Sequence, residues 1–178
     1  MYKKLGFLLV AIGIAACNGR AYVRVSSTSI IEKEVRPAAN DTKGITGVVI
    51  PCSQAQNPNC VCGGVGSIVQ LRITDCEGSS GCTFVPGTSY TSEIDFIPST
   101  SGPGLRLKVE VVQFGFNTVI LEEVLPNSNV EAGSTYTVTY SLVANDVLSG
   151  SSVVLTGKLF NTETQLLELC VGTIARIT

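Results

Sequence analysis

The sequence predicts an all-β fold, a sandwich of two sheets with about seven strands. Three observations support this prediction. Apolar and polar residues alternate with a period of two, Gly and Pro separate the alternating runs, and no stretch has the 3.6-residue period of a capped amphipathic helix. Alternation of this kind places one face of each strand on a core and the other in water. Several short strands at this spacing are typical of a two-sheet sandwich.

The predicted strands follow one another from Val65 to the C-terminus. Each is a run of apolar residues at alternate positions or a short apolar segment, and in chain order they are 65–73, 91–96, 105–111, 116–125, 135–144, 152–160 and 166–177. Turns are predicted between them at Gly or Pro, namely at Gly87, Pro98, 102–104, Pro126, Gly133 and Gly150.

The first 19 residues are predicted to be a secretory signal peptide. Lys3 and Lys4 give a positive start, and residues 5–17 are apolar or small but too few to span a membrane. We therefore expect a protein that is secreted or delivered to the endolysosomal lumen. Residues 14–17, Ile-Ala-Ala-Cys, also resemble a bacterial lipobox, which would make Cys17 a lipidated N-terminus.

Residues 20–61 differ in composition from the rest of the chain. They hold five basic residues, several Ser and Thr and one aromatic residue, so we predict a poorly ordered extension with a small loop between Cys52 and Cys60. Asn40 begins the chain's N-x-S/T sequon and is a candidate glycosylation site. Residues 62–178 form the predicted domain. With 5 basic and 11 acidic residues they carry a net charge of −6, which argues against binding to nucleic acid.

Six cysteines remain once the signal peptide is removed. An even number in an exported chain predicts disulfides rather than a thiolate metal site, because paired C-x-x-C motifs are absent. Cys76 and Cys82 bracket a flexible stretch that can close on itself. Cys170 needs a distant partner, either Cys60 or Cys62.

The sequence gives little support to catalysis. It contains no His, so pairs of Ser or Cys with His and His-ligated metals are excluded. The glycine-rich segment 63–67 lacks the Lys-Ser/Thr and the helix of a phosphate cradle, and we interpret it as a turn. We therefore predict no enzymatic activity, no metal and no cofactor.

Apolar residues also occur near predicted connections. One run is too apolar for one solvated face and contains Phe114, Phe116, Val119, Ile120 and Leu121. Another group surrounds the next connection and contains Val143, Val147 and Leu148. Such residues either close the end of the core or line the mouth of a cavity between the sheets. Hydrophobicity alone favours the closed end.

The order of these residues resembles the ML (lipid-recognition) family over residues 62–178. Four features are similar in sequence order: Cys62-Gly63 followed by a strand, Asp75-Cys76 and Cys82; the segment 86–96, which is similar to the family's G-x-x-Y-x-hydrophobic-x-hydrophobic-x-F strand; the second G-x-x-Y at 133–136; and Leu169-Cys170 in the final strand.

The resemblance implies an immunoglobulin-like sandwich whose sheets separate to hold a lipid. It implies the bonds Cys62–Cys170 and Cys76–Cys82, which leaves Cys52–Cys60 as an additional bond. It also places the portal of the family's cholesterol carriers near Ile120, Ala144 and Leu148, and this favours a cavity over a closed end.

The chain departs from the family pattern at three places. Segment 125–129 lacks the Cys of the family's middle disulfide. Residues 119–121 are Val-Ile-Leu where the sterol carriers have Pro-Phe-Pro. After the last Cys, Val171 stands where the family has an aromatic residue. Sterol specificity is therefore not implied, whereas lipid binding is.

We accordingly predict a monomeric lipid carrier or lipid sensor that hands its ligand to a membrane or a receptor. The ligand would be a sterol, a fatty acid or a phospholipid. The predicted lipid contacts face the core or its mouth: Ile94, Phe96, Leu107, Val109, Val111, Phe116, Ile120, Tyr136, Val138, Tyr140, Ala144, Leu148 and Leu155. The alternative is an immunoglobulin-like surface or adhesion module with a closed core, anchored as a lipoprotein if Cys17 is acylated.

Overall fold

The computed structural model describes residues 23–32, 50–51, 59–76, 81–114 and 116–178, with side chains from residue 62 onward. These residues contain eleven strands and no α-helix. The strands are β1 (Val23–Glu32), β2 (Ile50–Pro51), β3 (Asn59–Gly63), β4 (Ser67–Ile73), β5 (Cys82–Phe84), β6 (Ser89–Ile97), β7 (Leu105–Gln113), β8 (Phe116–Val124), β9 (Tyr136–Ala144), β10 (Ser152–Asn161) and β11 (Leu167–Ile177), and a 3-10 turn spans Asp146–Leu148.

The strands form two sheets. The smaller sheet has the order β1-β9-β6-β4, and the larger has the order β2-β3-β11-β10-β7-β8, with β5 pairing with β11. All pairs are antiparallel except β2 with β3 and β5 with β11. The predicted two-sheet β-sandwich is confirmed. The strand number exceeds the predicted seven because β1, β2, β3 and β5 lie outside the seven predicted strands of the domain.

The first of these strands differs from the prediction at residues 23–32 of the segment 20–61. Val23–Glu32 pairs with β9 from Val23 opposite Ala144 to Glu32 opposite Tyr136, so it is an edge strand of the smaller sheet and not part of a poorly ordered extension. Its Val, Ile and Thr residues suit a strand. A register shift between Val25 and Ser27 interrupts the alternation that would have revealed it.

Several predictions about the N-terminal third concern residues outside the described ranges. The signal peptide, Cys17 and Asn40 lie there, and so does Cys52 with its predicted bond to Cys60.

Apolar residues at alternate positions of both sheets form one core. Its members lie on β4 to β7 and β9 to β11, with Leu125, Val130 and Leu148 at the ends. Phe84 stacks on Tyr90 with ring centroids 4.4 Å apart, and Phe96 lies 6.1 Å from Tyr136. Full burial of a side chain of this size contributes about 1.5–3 kcal/mol, so this core is the main source of stability.

Two disulfides among the described residues reinforce the core, and both are bonds that the family resemblance implies. Cys62–Cys170 joins β3 to β11 across 108 residues. Cys76–Cys82 joins the end of β4 to β5 across 6 residues.

Candidate functional site

The outermost strands of the two sheets, β1 and β8, contact each other and form one side of the sandwich, here called the β1–β8 margin. None of the nine residues of β8 is fully buried. On the neighbouring β7, by contrast, Leu105, Leu107 and Val109 have no solvent exposure. The margin is therefore the side of the sandwich where the described core is least covered.

A β-bulge in β8 places three apolar residues in succession at this margin. Val109 lies opposite Leu121 and Glu110 lies opposite Val119, so Ile120 between them has no partner on β7. Ile120 and Leu121 both pack against the core while remaining partly exposed. Bulges of this kind often occur at sheet edges and redirect side chains. Here the bulge allows consecutive residues of one strand to reach the interior.

The turn between β7 and β8 exposes two aromatic side chains. Phe114 is 90% exposed and Phe116 is 77% exposed. Phe114 has a φ of 50°, in the left-handed region that non-glycine residues seldom adopt. Val147 is also exposed at this end of the sandwich, in the turn that leads from β9 to β10. We call Phe114 and Phe116 the aromatic tip.

The structure brings most of the predicted lipid contacts together. Eleven of them are buried on the inner faces or at their end: Ile94, Phe96, Leu107, Val109, Val111, Tyr136, Val138, Tyr140, Ala144, Leu148 and Leu155. Ile120 lies at the margin, packed against this group. Phe116 lies in solvent at the aromatic tip.

The centre of the sandwich is occupied by protein atoms. Gly157 on β10 faces Tyr140 on β9, and a Cβ at position 157 would lie 3.0 Å from the Tyr140 hydroxyl and 3.6 Å from Ile94 Cδ1. Tyr140 thus spans the space between the two sheets. Ile94, Phe96 and Val138 beside it have no exposed surface. A ligand that reaches this point has to separate these contacts.

The interior is almost without charge. The inner-facing residues of β4, β6, β7, β9 and β10 include no charged side chain. Glu123, opposite Leu107 on β8, is half-buried at the margin. The polar groups of the inner faces include the hydroxyls of Tyr90 and Tyr136, which accept hydrogen bonds from the backbone N–H groups of Val85 and Glu131.

Two ion clusters lie on the outer faces. On the smaller sheet Arg72 donates to both oxygens of Asp95, at 2.6 and 2.9 Å, and to Glu93. The hydrogen bonds that Arg72 donates to Asp95 raise the pKa of Arg72 despite burial. On the larger sheet burial raises the pKa of Glu110, but hydrogen bonds from Lys158 and Lys108 outweigh it, so the pKa is lowered overall. Both clusters are internally paired and face away from the interior.

The described residues give no support to metal binding or to a membrane-spanning helix. They contain no group of three or more His, Cys, Asp or Glu side chains placed to hold a metal ion. No helix among them has the length and hydropathy needed to cross a membrane.

Comparison with known proteins shows similarity at the level of the fold. A Niemann–Pick type C2 protein from the Japanese carpenter ant matches with a TM-score of 0.59 and 15% identity, over 66% of this chain and 97% of that one. The chain has an ML-like fold. The C-terminal domain of wzt matches with a TM-score of 0.52 and 10% identity, over 70% of this chain and 80% of that one.

More distant or sequence-based comparisons add nothing to this. Chicken MD-1 complexed with lipid IVa reaches a TM-score of 0.40 at 13% identity, over 65% of this chain and 86% of that one, and this likeness is too low to carry an argument. No family model and no curated protein sequence matches the chain.

Two parts of the candidate site were missed from the sequence. β1 forms one wall of the margin, and its signal was a cluster of β-branched residues in 23–31. The second is Gly157, whose contact with Tyr140 joins strands of opposite sheets. No local pattern reveals such a contact, because it depends on how the sheets are stacked.

Proposed function

We propose that this protein is an exported lipid carrier or lipid sensor. The apolar part of the lipid enters through the β1–β8 margin and lies between the sheets. The observation that carries the proposal is the bulged edge strand β8, where Val119, Ile120 and Leu121 lead from solvent to inner faces of β4, β6, β7, β9 and β10 that have no charged side chain. The ML-like fold and the sequence resemblance to a lipid-recognition family support the same function.

The driving force is the removal of apolar surface from water. At about 25 cal/mol per Å², the burial of a few hundred Å² of lipid supplies several kcal/mol before the costs of ordering are subtracted. Part of this free energy offsets the cost of separating the side chains that fill the centre of the sandwich. Ile120 and Leu121, already half-exposed, are the first protein contacts of an entering chain.

The charges of the domain limit the class of ligand. Residues 62–178 carry 5 basic and 11 acidic residues, and Arg72, Lys108 and Lys158 are bound to carboxylates on the outer faces. A polyphosphorylated head group requires clustered cations, so we favour a sterol, a fatty acid or a phospholipid. The aromatic tip would contact the membrane from which the lipid is taken. The two disulfides suit an oxidising compartment outside the cytosol.

The proposal is tested by titrating delipidated protein with a fluorescent sterol and a fluorescent fatty acid. We expect saturable uptake of at least one probe. Ile120→Asp should weaken uptake by at least tenfold, because a carboxylate at the entrance must be desolvated beside the apolar ligand. Val124→Asp is the matched control, since Val124 is 61% exposed on the same strand and lies opposite Arg106. Absence of saturable uptake of both probes by the wild-type protein would refute lipid binding.

The second candidate is a closed immunoglobulin-like surface or adhesion module. It is favoured by the contact of Tyr140 with Gly157 and by the fully buried side chains around it. Native mass spectrometry of the purified protein distinguishes the two functions. A lipid carrier should show a monomer with a co-purified mass in the range of a lipid, whereas a closed module should show the mass of the polypeptide alone.

A further inference from the structure

Ser92 interrupts the apolar inner face of β6. Tyr90, Ser92, Ile94 and Phe96 alternate along this strand and are all buried. Ser92 lies opposite Ile73 on β4 and Tyr140 on β9, both of which belong to the core. Its side chain has no exposed surface, and its hydroxyl has no hydrogen bond of ordinary geometry. The group that interacts with it electrostatically is the Tyr140 hydroxyl, and the contact does not meet the geometry of a hydrogen bond. An unpartnered hydroxyl in such a place destabilises the fold unless another group satisfies it.

Tyr140 differs from the other two inner-face tyrosines. The hydroxyls of Tyr90 and Tyr136 each accept a hydrogen bond from a backbone N–H group five residues earlier in the chain. Within the described ranges, no backbone group bonds to the Tyr140 hydroxyl. Burial raises the pKa of Tyr140 and the nearby Ser92 hydroxyl partly offsets the rise, so Tyr140 is a protonated donor close to Ser92.

We propose that Ser92 and Tyr140 form a polar subsite that binds one uncharged oxygen atom in the buried part of the ligand. The inference rests on the proposed function and makes it more specific. Two hydroxyl groups can donate to and accept from a hydroxyl or a carbonyl. The inner-facing residues of β4, β6, β7, β9 and β10 offer no cation to balance a carboxylate or a phosphate. The group bound at this subsite is therefore an uncharged hydroxyl or carbonyl of the ligand, and a charged head group does not enter it.

Gly157 provides the space in which the Tyr140 hydroxyl lies. A Cβ at position 157 would approach that hydroxyl to 3.0 Å, closer than ordinary van der Waals contact. The hydroxyl of Tyr140 therefore sits at the interface of the two sheets, where a chain inserted from the margin would meet it.

The test compares two ligands that differ only in one hydroxyl, 1-dodecanol and dodecane, in competition with a bound fluorescent probe, which is the sterol or, where the sterol does not bind, the fatty acid. Wild type should prefer the alcohol. Ser92→Ala should reduce this preference by about fivefold, the loss of one hydrogen bond, and leave dodecane binding unchanged. Tyr140→Phe is the second variant, with the same expected direction. Thr139→Ala, on the outer face of β9, is the control and should retain the full preference.

Three results would overturn the inference, and they are distinguishable. If the ratio of the affinities for 1-dodecanol and dodecane is the same in wild type and Ser92→Ala, lipid binding is retained and the polar subsite is refuted. If Ser92→Ala lowers the melting temperature and leaves the ligand ratio unchanged, the hydroxyl serves an internal water molecule. If neither the fluorescent sterol nor the fluorescent fatty acid binds, the proposed function fails together with the subsite. A melting temperature of Ser92→Ala equal to or above that of wild type, with the reduced preference, supports the proposal.

Discussion

The two lateral sides of the sandwich are built in different ways. On one side the disulfide Cys62–Cys170 joins β3 to β11, β4 contacts β11, and Gly64 lies against the backbone of Glu168. The Glu168 carboxylate is buried and accepts hydrogen bonds from Ser99 and Thr100. We call this the tied side. On the β1–β8 margin, the described contacts are backbone pairing and the half-buried side chains of a bulged strand.

This difference in construction predicts that the tied side maintains stability and that the margin opens for the ligand. Segments with few buried apolar contacts open at a lower cost than segments fixed in the core. A covalent bond and buried polar contacts on the tied side keep the sheets together there. The margin can then separate locally without unfolding the domain. The contrast predicts that mutations on the tied side lower stability, whereas mutations at the margin chiefly alter lipid uptake.

The largest effect is expected from removal of the disulfide on the tied side. The double substitution Cys62→Ala with Cys170→Ala frees a loop of 108 residues in the unfolded chain, and the chain-entropy model gives a loss of about 4–5 kcal/mol. Replacing Cys76 and Cys82, which are 6 residues apart, should cost about 2 kcal/mol. Denaturant unfolding measures both. Equal losses would show that the long disulfide does not have the role assigned to it.

The next effect concerns the glycines that enter the tied side. Gly64→Ala should lower the free energy of unfolding by about 3 kcal/mol, because its Cβ would lie 2.5 Å from the Glu168 carbonyl oxygen at a φ of 117°. Gly63 is a matched control with a φ of 115° and no atom within 4 Å of its Cβ. Gly63→Ala should cost only the backbone strain, about 1 kcal/mol. If both variants unfold at the same denaturant concentration, the close approach of Gly64 to β11 is not a stabilising contact.

Most of the sandwich could be predicted from the sequence because its strands are buried on one face. Seven runs with a period of two correspond to β4 and to β6 to β11, with boundaries that differ by a few residues. β1 was missed because its alternation is interrupted, and an edge strand has less core to face. The role of Gly64 was also missed. A local pattern shows a turn, but not that β11 lies against it.

The candidate site was less predictable because it depends on how neighbouring strands pair, which a local pattern does not show. The apolar run 119–121 drew attention to β8, yet only the pairing with β7 shows a bulge at Ile120.

The family's middle disulfide is absent from 125–129, and the structure shows what holds this segment. The Ser128 hydroxyl donates to the Leu125 carbonyl and accepts from the Leu105 N–H. Ser was one of several polar residues in a predicted turn, and nothing local distinguishes it.

A smaller effect is expected from the charges beside the margin. Glu110 lies opposite Val119 at the bulge, and its pKa is lowered by Lys158 and Lys108 despite burial. A lowered pKa contributes stability above the unfolded pKa, and this contribution is lost as the pH falls through the folded pKa. Lys158→Met should therefore cost about 1–2 kcal/mol at pH 7 and much less at pH 3. Arg106→Met removes the exposed pair with Glu122 and should change stability by less than about 1 kcal/mol at either pH. A Lys158→Met loss that is independent of pH would contradict this account.

The smallest effect on stability, with a separate effect on function, is expected at the aromatic tip. Phe114→Asn should stabilise the fold by about 0.5–1 kcal/mol, because Asn tolerates the left-handed φ of 50° better than Phe does. Phe116→Asn is the control on the first residue of β8, which has no such strain, and it should not stabilise. Both variants should slow lipid transfer from vesicles, because both remove an exposed ring from the same turn.

The pair of variants separates backbone strain from contact with the membrane. If Phe114→Asn is more stable and transfers lipid more slowly, the exposed ring is kept at a cost in stability because it serves function at the margin, as strained residues at functional sites commonly do. If it is more stable and transfers lipid at the wild-type rate, the tip does not take part in uptake, and entry must depend on Ile120 and Leu121 alone.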